Sequence, residues 1–169
     1  QFVGVFERRP DGAVLVPGMT VPLMGSYAVD EMGSEGGLAQ AIEGCGPRTP
    51  LLMILADGSD PHATLTGLAK RSKVRLATVG MGEGTEAAAT AAIAEAAAGG
   101  SWVLLQNCHL AVKYMAGLRR TVDSVLKQTT AQAGGSAPPA TFRLLLTALP
   151  HPDFPGPVLQ NARKVTVEP

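Results

Sequence analysis

The chain has 169 residues, with 14 Lys plus Arg set against 14 Asp plus Glu, so its formal net charge at pH 7 is zero. That length holds one domain, or a domain with an appendage, and excludes a complete multi-domain machine; balanced charge offers no field of one sign to a polyanion or an acidic membrane surface, which excludes nucleic acid as an expected partner. Two cysteines, Cys45 and Cys108, make no disulfide framework and lack metal-ligand spacing, pointing to a reducing compartment, and the longest apolar run, Leu51 to Ala56, is far short of the roughly 20 residues of a spanning helix.

Residues 1–48 read as an irregular N-terminal arm with many Gly and Pro. Phe2 to Phe6 and Ala13 to Val16 are mostly apolar, and Arg9-Pro10-Asp11-Gly12 between them is a turn signal, so a short β-hairpin is expected. Met32 to Pro50 reads mostly as loop, with one helical turn at Leu38 to Ile42. The start at Gln1 and the stop at Glu168-Pro169, just after an apolar run, give the expectation of a piece of a longer chain.

From residue 49 onward the pattern changes to short, wholly apolar runs separated by helical stretches, the signature of strands buried on both faces of a parallel sheet. The first strand is expected at Leu51 to Leu55. Asp57-Gly58-Ser59 turns the chain, and Asp60 with Pro61 supplies an N-cap and a first-turn proline for a helix to about Lys70. Val74 to Val79 is the second strand, followed by Gly80, Gly82 and Gly84. Thr85 opens an Ala-rich helix that ends at Gly99-Gly100, where glycine accommodates a left-handed stop. Trp102 to Leu105 is the third strand. A helix from about Cys108 to Gln128 places Ala111, Met115, Leu118, Val122 and Val125 on one face. Thr129 to Thr141 reads as a flexible loop, Phe142 to Leu146 as the fourth strand, Pro157 to Ala162 as a helical turn, and Val165 to Val167 as the fifth strand. Strands alternating with helices predict a three-layer α/β sandwich. Hydrophobic residues make up 46% and aromatics only 4%, a composition suited to closely packed strands and Ala-faced helices.

Four segments carry a family resemblance. Thr49 to Pro61 (TPLLMILADGSDP) resembles the TPLIFxLSxGxDP segment of dynein heavy chains, and Ser101 to Ala111 (SWVLLQNCHLA) resembles their WVxLQNCHLA segment, the most specific of the set. Phe142 to Thr147 resembles FRLWLT, with Leu145 in place of the Trp. Phe154 onward, with Val158-Leu159-Gln160-Asn161 and Lys164 to Pro169, resembles FPxxxLQNxxKxTxEPP. The family's GQGQ after the second strand is Gly80-Met81-Gly82-Glu83 here, and the arm matches only loosely. The resemblance implies the large α/β subdomain of the sixth and last AAA+ module of the motor ring, spanning residues 49–169, with a five-stranded parallel sheet in the order 5-1-4-3-2 and a helical subdomain expected to follow Pro169. The LQNCHL form implies an axonemal heavy chain, and with it the cytoskeleton of the cilium or flagellum, with cytoplasm as the alternative. Implied partners are the neighbouring AAA+ modules of the same heavy chain and, indirectly, microtubules and other dynein subunits, with neither nucleic acid nor membrane.

A nucleotide-binding module needs GxxxxGK[ST] after its first strand, because backbone amides and a Lys cradle the phosphates and a hydroxyl holds Mg²⁺. Here the turn reads Asp57-Gly58-Ser59-Asp60-Pro61, without Lys; the Asp60 carboxylate takes the positive helix end that a phosphate needs, and Pro61 removes an amide. A Walker B strand ends in Asp-Glu, whereas this one ends in Gln106-Asn107, amides that neither hold Mg²⁺ nor take a proton. Thr147 falls at the position of a sensor residue.

No catalytic residue, metal site or cofactor is therefore expected in this chain, ATP and Mg²⁺ being assigned to other modules of the parent. Cys108-His109 invites a nucleophile reading, but neighbouring helical residues point about 100° apart and cannot face each other. Asp57, Asp60 and His62 lack further metal-ligand support, Gly80 to Gly84 reads as a structural turn, and Arg119-Arg120 as a solvated face. The leading expectation is a nucleotide-free structural module of an ATP-driven microtubule motor. The alternatives are an autonomous NTPase with an unorthodox phosphate loop and a stand-alone α/β binding protein.

Overall fold

The structure, a computed structural model, describes Glu7–Arg8, Val14–Leu15 and residues 35–56, 58–135, 139–151 and 154–167. In the arm, β1 (Glu7–Arg8) and β2 (Val14–Leu15) pair antiparallel, Glu7 opposite Leu15 and Arg8 opposite Val14. β2 lies within the expected second strand, whereas β1 falls after the expected first one; Phe2 to Phe6 and the Arg9 to Gly12 turn lie outside the described residues. The single helical turn expected at Leu38 to Ile42 is instead a nine-residue helix, α1 (Glu35–Glu43). Leu38, Ala41 and Ile42 recur at steps of three and one and all bury against the sheet with Cys45, so packing sustains a helix that Gly36 and Gly37 weaken locally.

The remaining elements alternate as expected: β3 (Leu51–Leu55), α2 (His62–Arg71), β4 (Leu76–Gly80), α3 (Glu86–Gly99) and β5 (Trp102–Gln106), then α4 (Val112–Ala116), α5 (Leu118–Gln132), β6 (Arg143–Ala148), α6 (Gly156–Asn161) and β7 (Arg163–Val167). The five strands β3 to β7 form one sheet in the order β4-β5-β6-β3-β7, parallel throughout. Numbered along the sheet's own strands, this is 5-1-4-3-2 read from the β7 edge, the expected order.

Because successive strand side chains point to opposite faces, the sheet feeds two cores. Leu52, Ile54, Val103, Leu105, Leu144 and Leu146 pack with α3 and α5, while Leu51, Met53, Leu104, Leu145 and Val165 pack with α1 and α2. β3 is buried at every position, as a central strand covered by helices on both sides must be. The outer strand β7 departs from the apolar pattern: Lys164 and Thr166 are buried on the face opposite Val165 and Val167, and burial pushes the Lys164 ammonium pKa down.

Two sequence expectations are corrected between β5 and β6. The helix predicted from Cys108 to Gln128 is broken into a 3₁₀ turn at Cys108–Leu110 and the helices α4 and α5, separated at Gly117. Ala111, with φ −132° and ψ 52°, leaves helical geometry, and the Gly117 N–H closes a turn on the Tyr114 carbonyl at 3.1 Å. Ala111, Met115, Leu118, Val122 and Val125 are nevertheless all buried, because each piece keeps the same face on the sheet. The loop predicted from Thr129 begins later, since α5 runs to Gln132 and first meets a left-handed glycine at Gly134, φ +77°.

Gly100 ends α3 in the left-handed conformation, φ +67°, where a Cβ would lie 2.6 Å from Thr141 Oγ1. At the amino edge of the sheet, Arg143 Nε donates to the Ile42 carbonyl at 3.0 Å, and the Arg163 guanidinium lies over Gly44 in space that any side chain there would take. Two cations thus gather at the negative end of α1.

Candidate functional site

In open parallel sheets the ligand crevice lies outside the carboxyl ends of the strands. Here β5, β6 and β3 are neighbours, so the turns that leave them converge on one edge.

The turn after β3 is closed on itself. The Ala56 N–H donates to the Val167 carbonyl at 2.9 Å, and Ser59 donates to the Ala56 carbonyl through its N–H at 3.1 Å and its hydroxyl at 2.7 Å. Gly58 supplies the left-handed residue, φ +80°. Asp60 Oδ1 accepts the His62 N–H at 3.0 Å, so a fixed carboxylate sits on the first amide of α2, and buried Pro61, at the cap position, has no N–H to offer. Asp57 lies outside the described residues. The predicted cap is shifted by one residue: Pro61, expected in the first turn, takes the N-cap position without a side-chain cap bond, α2 begins at His62, and Asp60 reaches the first helical amide from the residue before the cap. His62 turns toward β4, its Nε2 3.4 Å from Thr78 Oγ1. Among the described residues, no group of three or more His, Cys, Asp or Glu side chains converges as metal ligands.

At the end of β5, the Gln106 carbonyl accepts the Met81 N–H at 2.8 Å. Asn107 is exposed and left-handed, with φ 60° and ψ 48°, a conformation that Asn tolerates better than most residues. Its N–H donates to Thr147 Oγ1 at 3.1 Å, and Thr147 is buried. One turn on, His109 Nδ1 accepts the Leu149 N–H at 3.1 Å. These two bonds clasp the turn after β5 to the end of β6. Since Nδ1 accepts, the neutral ring carries its proton on Nε2, and burial, with His151 nearby, pushes the His109 pKa down.

Cys108 is fully buried, its Sγ donates to the Leu105 carbonyl at 3.3 Å, and burial pushes the thiol up to about 12. A thiolate is not formed there near neutral pH. The glycine-rich turn after β4 is held by Thr85 Oγ1, which accepts the Gly82 N–H at 3.0 Å and donates to the Gly82 carbonyl at 2.9 Å. Arg119 and Arg120 are both exposed, and Arg119 Nη1 donates to Asn161 Oδ1 at 3.1 Å.

Residues 46–166 match the family described as dynein heavy chain region D6 P-loop domain. The chain belongs to the dynein heavy chain family. It is 36% identical over 159 residues to dynein axonemal heavy chain 5 of Mus musculus, covering 90% of this chain. It is 39% identical over 126 residues to dynein axonemal heavy chain 10 of Homo sapiens, covering 73%, and 34% identical over 134 residues to dynein axonemal heavy chain 2 of Homo sapiens, covering 78%. In each case it spans about 3% of the relative's length.

Within this dynein heavy chain segment, the Asp60 cap and both clasps fall inside the matched span, and the β1–β2 hairpin falls outside it. Sequence reasoning singled out Asp60, Asn107 and Thr147, and the fold brings the last two into direct contact. It missed the work of His109, whose partner is 40 residues away along the chain; a histidine next to a cysteine draws the eye to nucleophilic chemistry, and no local pattern names a distant amide.

Proposed function

We propose that this segment is a non-catalytic structural module of a dynein motor ring, in an axonemal heavy chain of a cilium or flagellum, and that ATP hydrolysis occurs in other modules of the same protein. The observation that carries the reading is the Asp60 carboxylate on the His62 amide at 3.0 Å. A bound phosphate takes its stabilisation from free amides and the positive end of that helix, and here a carboxylate already accepts the His62 amide and sets a negative charge at that end. The chain has no Lys between Gly58 and Pro61 to offset it. Gln106-Asn107 at the end of β5 supplies no carboxylate for Mg²⁺ or for a general base.

The module's work is then mechanical. A sheet packed on both faces moves as a rigid body, and it passes displacements between neighbouring AAA+ modules through packed interfaces. The Asn107–Thr147 and His109–Leu149 bonds stiffen the edge where an active module would change shape with its nucleotide.

Titration with a fluorescent ATP analogue in Mg²⁺ tests the reading, with no saturable signal expected at millimolar nucleotide. A dissociation constant tighter than about 100 µM, roughly 5.5 kcal/mol of binding, overturns it in favour of an NTPase with an unorthodox phosphate loop.

A further inference from the structure

The turn from α2 into β4 carries the densest positive charge in the chain. Lys70, Arg71, Lys73 and Arg75 fall within six residues with no acidic residue among them, and all four are exposed. Ser72 stands in their midst, exposed at the C-cap of α2. Its N–H donates to the Leu68 carbonyl at 2.9 Å, which fixes the backbone, while its hydroxyl has no partner among the described residues.

Ser72, Lys73 and Arg75 line one groove of about 460 Å³ between this turn and the carboxyl half of α3, with room for a phosphoryl group beside the hydroxyl. Lys70 and Arg71 lie in the last turn of α2 and answer its negative end, but Lys73 and Arg75 lie beyond that turn. Lys73 takes the left-handed position after the helix, φ 57°, its N–H donating to the Lys70 carbonyl at 3.1 Å. Glycine serves at the corresponding places after α3 and α5, Gly100 and Gly134, so a side chain with an ammonium is kept here against the backbone preference. Arg75 Nη1 lies 3.4 Å from Glu95 Oε1, with both side chains about three-quarters exposed, at 79% and 74%. Such a pair is weak and leaves most of the five guanidinium donors for another acceptor.

We propose that Ser72 is a phosphorylation site for a protein kinase that selects Lys and Arg on the amino side of its target, and that Lys73 and Arg75 hold the phosphate in the groove. In the transfer the Ser72 Oγ bonds to the γ-phosphorus of ATP, the bond from that phosphorus to the ADP oxygen breaks, and the hydroxyl proton passes to the kinase's general base. Lys70 and Arg71 stand two and one residues before the hydroxyl, in a terminal helical turn, which opens more readily than a helix interior. The phosphate brings a charge of about −1.5 to −2 and three acceptor oxygens. At the end of α2 it meets the negative helix end, and Glu95 is the acidic side chain on the groove. The ammonium and guanidinium offset both through charge-assisted hydrogen bonds, and Arg75 exchanges its weak pairing with Glu95 for the stronger one. The proposal stands whether or not the carboxyl edge of the sheet binds nucleotide.

Treatment of a heavy chain that contains this segment with ATP and a kinase of that class, followed by peptide mass mapping, tests the site. Phosphate should appear on Ser72 and not on Ser124, which is also exposed and follows Arg119 and Arg120 but lies in the middle of α5. The cradle is tested by removal: Lys73→Gly deletes the ammonium and suits the left-handed backbone, so the fold is kept, and an added phosphatase should then clear Ser72 several-fold faster than in the unaltered chain. Absence of phosphate from Ser72, or equal incorporation at Ser124, overturns the site. Removal at the same rate with and without Lys73 overturns the cradle.

Discussion

His109 Nδ1 accepts the backbone N–H of Leu149 at 3.1 Å. The bond requires a bare Nδ1, and protonation would set two donors against each other. In the unfolded chain the imidazole titrates near its ordinary value of about 6.5, and in the fold its pKa is lower, from burial first and His151 second. Between that lower value and about 6.5 the unfolded state binds more protons, so this contribution is full above about 6.5 and is lost as the pH falls from there through the folded value. Urea midpoints should therefore decline from about pH 8 to pH 5. His109→Asn, which keeps an acceptor and does not titrate, should show a flatter profile; coincident profiles would remove His109 from the titration.

Cys108 and Cys45 should both resist alkylation in the native chain. Burial pushes the Cys108 thiol up to about 12, and it raises Cys45 too, against the opposing pull of Arg163 and Arg143. Incubation with N-ethylmaleimide at about pH 8 should add no mass until denaturant is present, when both react. Rapid single addition to the native chain would show that one thiol is accessible and ionised, contrary to their burial.

Leu118 and Arg120 are two residues apart and on opposite sides of α5, the first 2% exposed and the second on the exposed face. Leu118→Ala should cost on the order of 2 to 5 kcal/mol, the range for emptying a packed site, and Arg120→Ala less than about 0.5 kcal/mol. Equal costs in denaturant titrations would contradict the assignment of the buried face.

Two glycines should respond in opposite directions to the same change. Gly100→Ala sets a Cβ 2.6 Å from Thr141 Oγ1 at φ +67° and should destabilise by at least about 1 kcal/mol. Gly67→Ala lies within α2 with nothing inside 4 Å of the new Cβ and should stabilise by about 0.5 to 1 kcal/mol through helix propensity. Thermal midpoints moving the same way for both would show that backbone conformation is not what separates them.

The sequence by itself determined the sheet and its helices. Leu51 to Leu55 and Trp102 to Leu105 are apolar at every position, short and bounded by turn signals, the pattern of strands buried on both faces; Gly100 marks the end of α3, and Asp60 beside Pro61 marks the start of α2. These are local matters of period, side-chain size and backbone freedom, and they are written in neighbouring residues. The ordered motifs from Thr49 to Val167 led to the strand order, which periodicity alone does not contain. Tertiary structure decided what depends on distant contacts: α1 reaches nine residues because its apolar face finds the sheet, and the predicted third helix breaks at Ala111 and Gly117 while the pieces keep their buried faces in one core. It also decided the roles at the carboxyl edge. Asn107 and Thr147, and His109 and Leu149, stand 40 residues apart in sequence and meet only because β5 and β6 lie side by side, so the hydrogen bonds that clasp this edge are set by strand adjacency, and no local pattern encodes that.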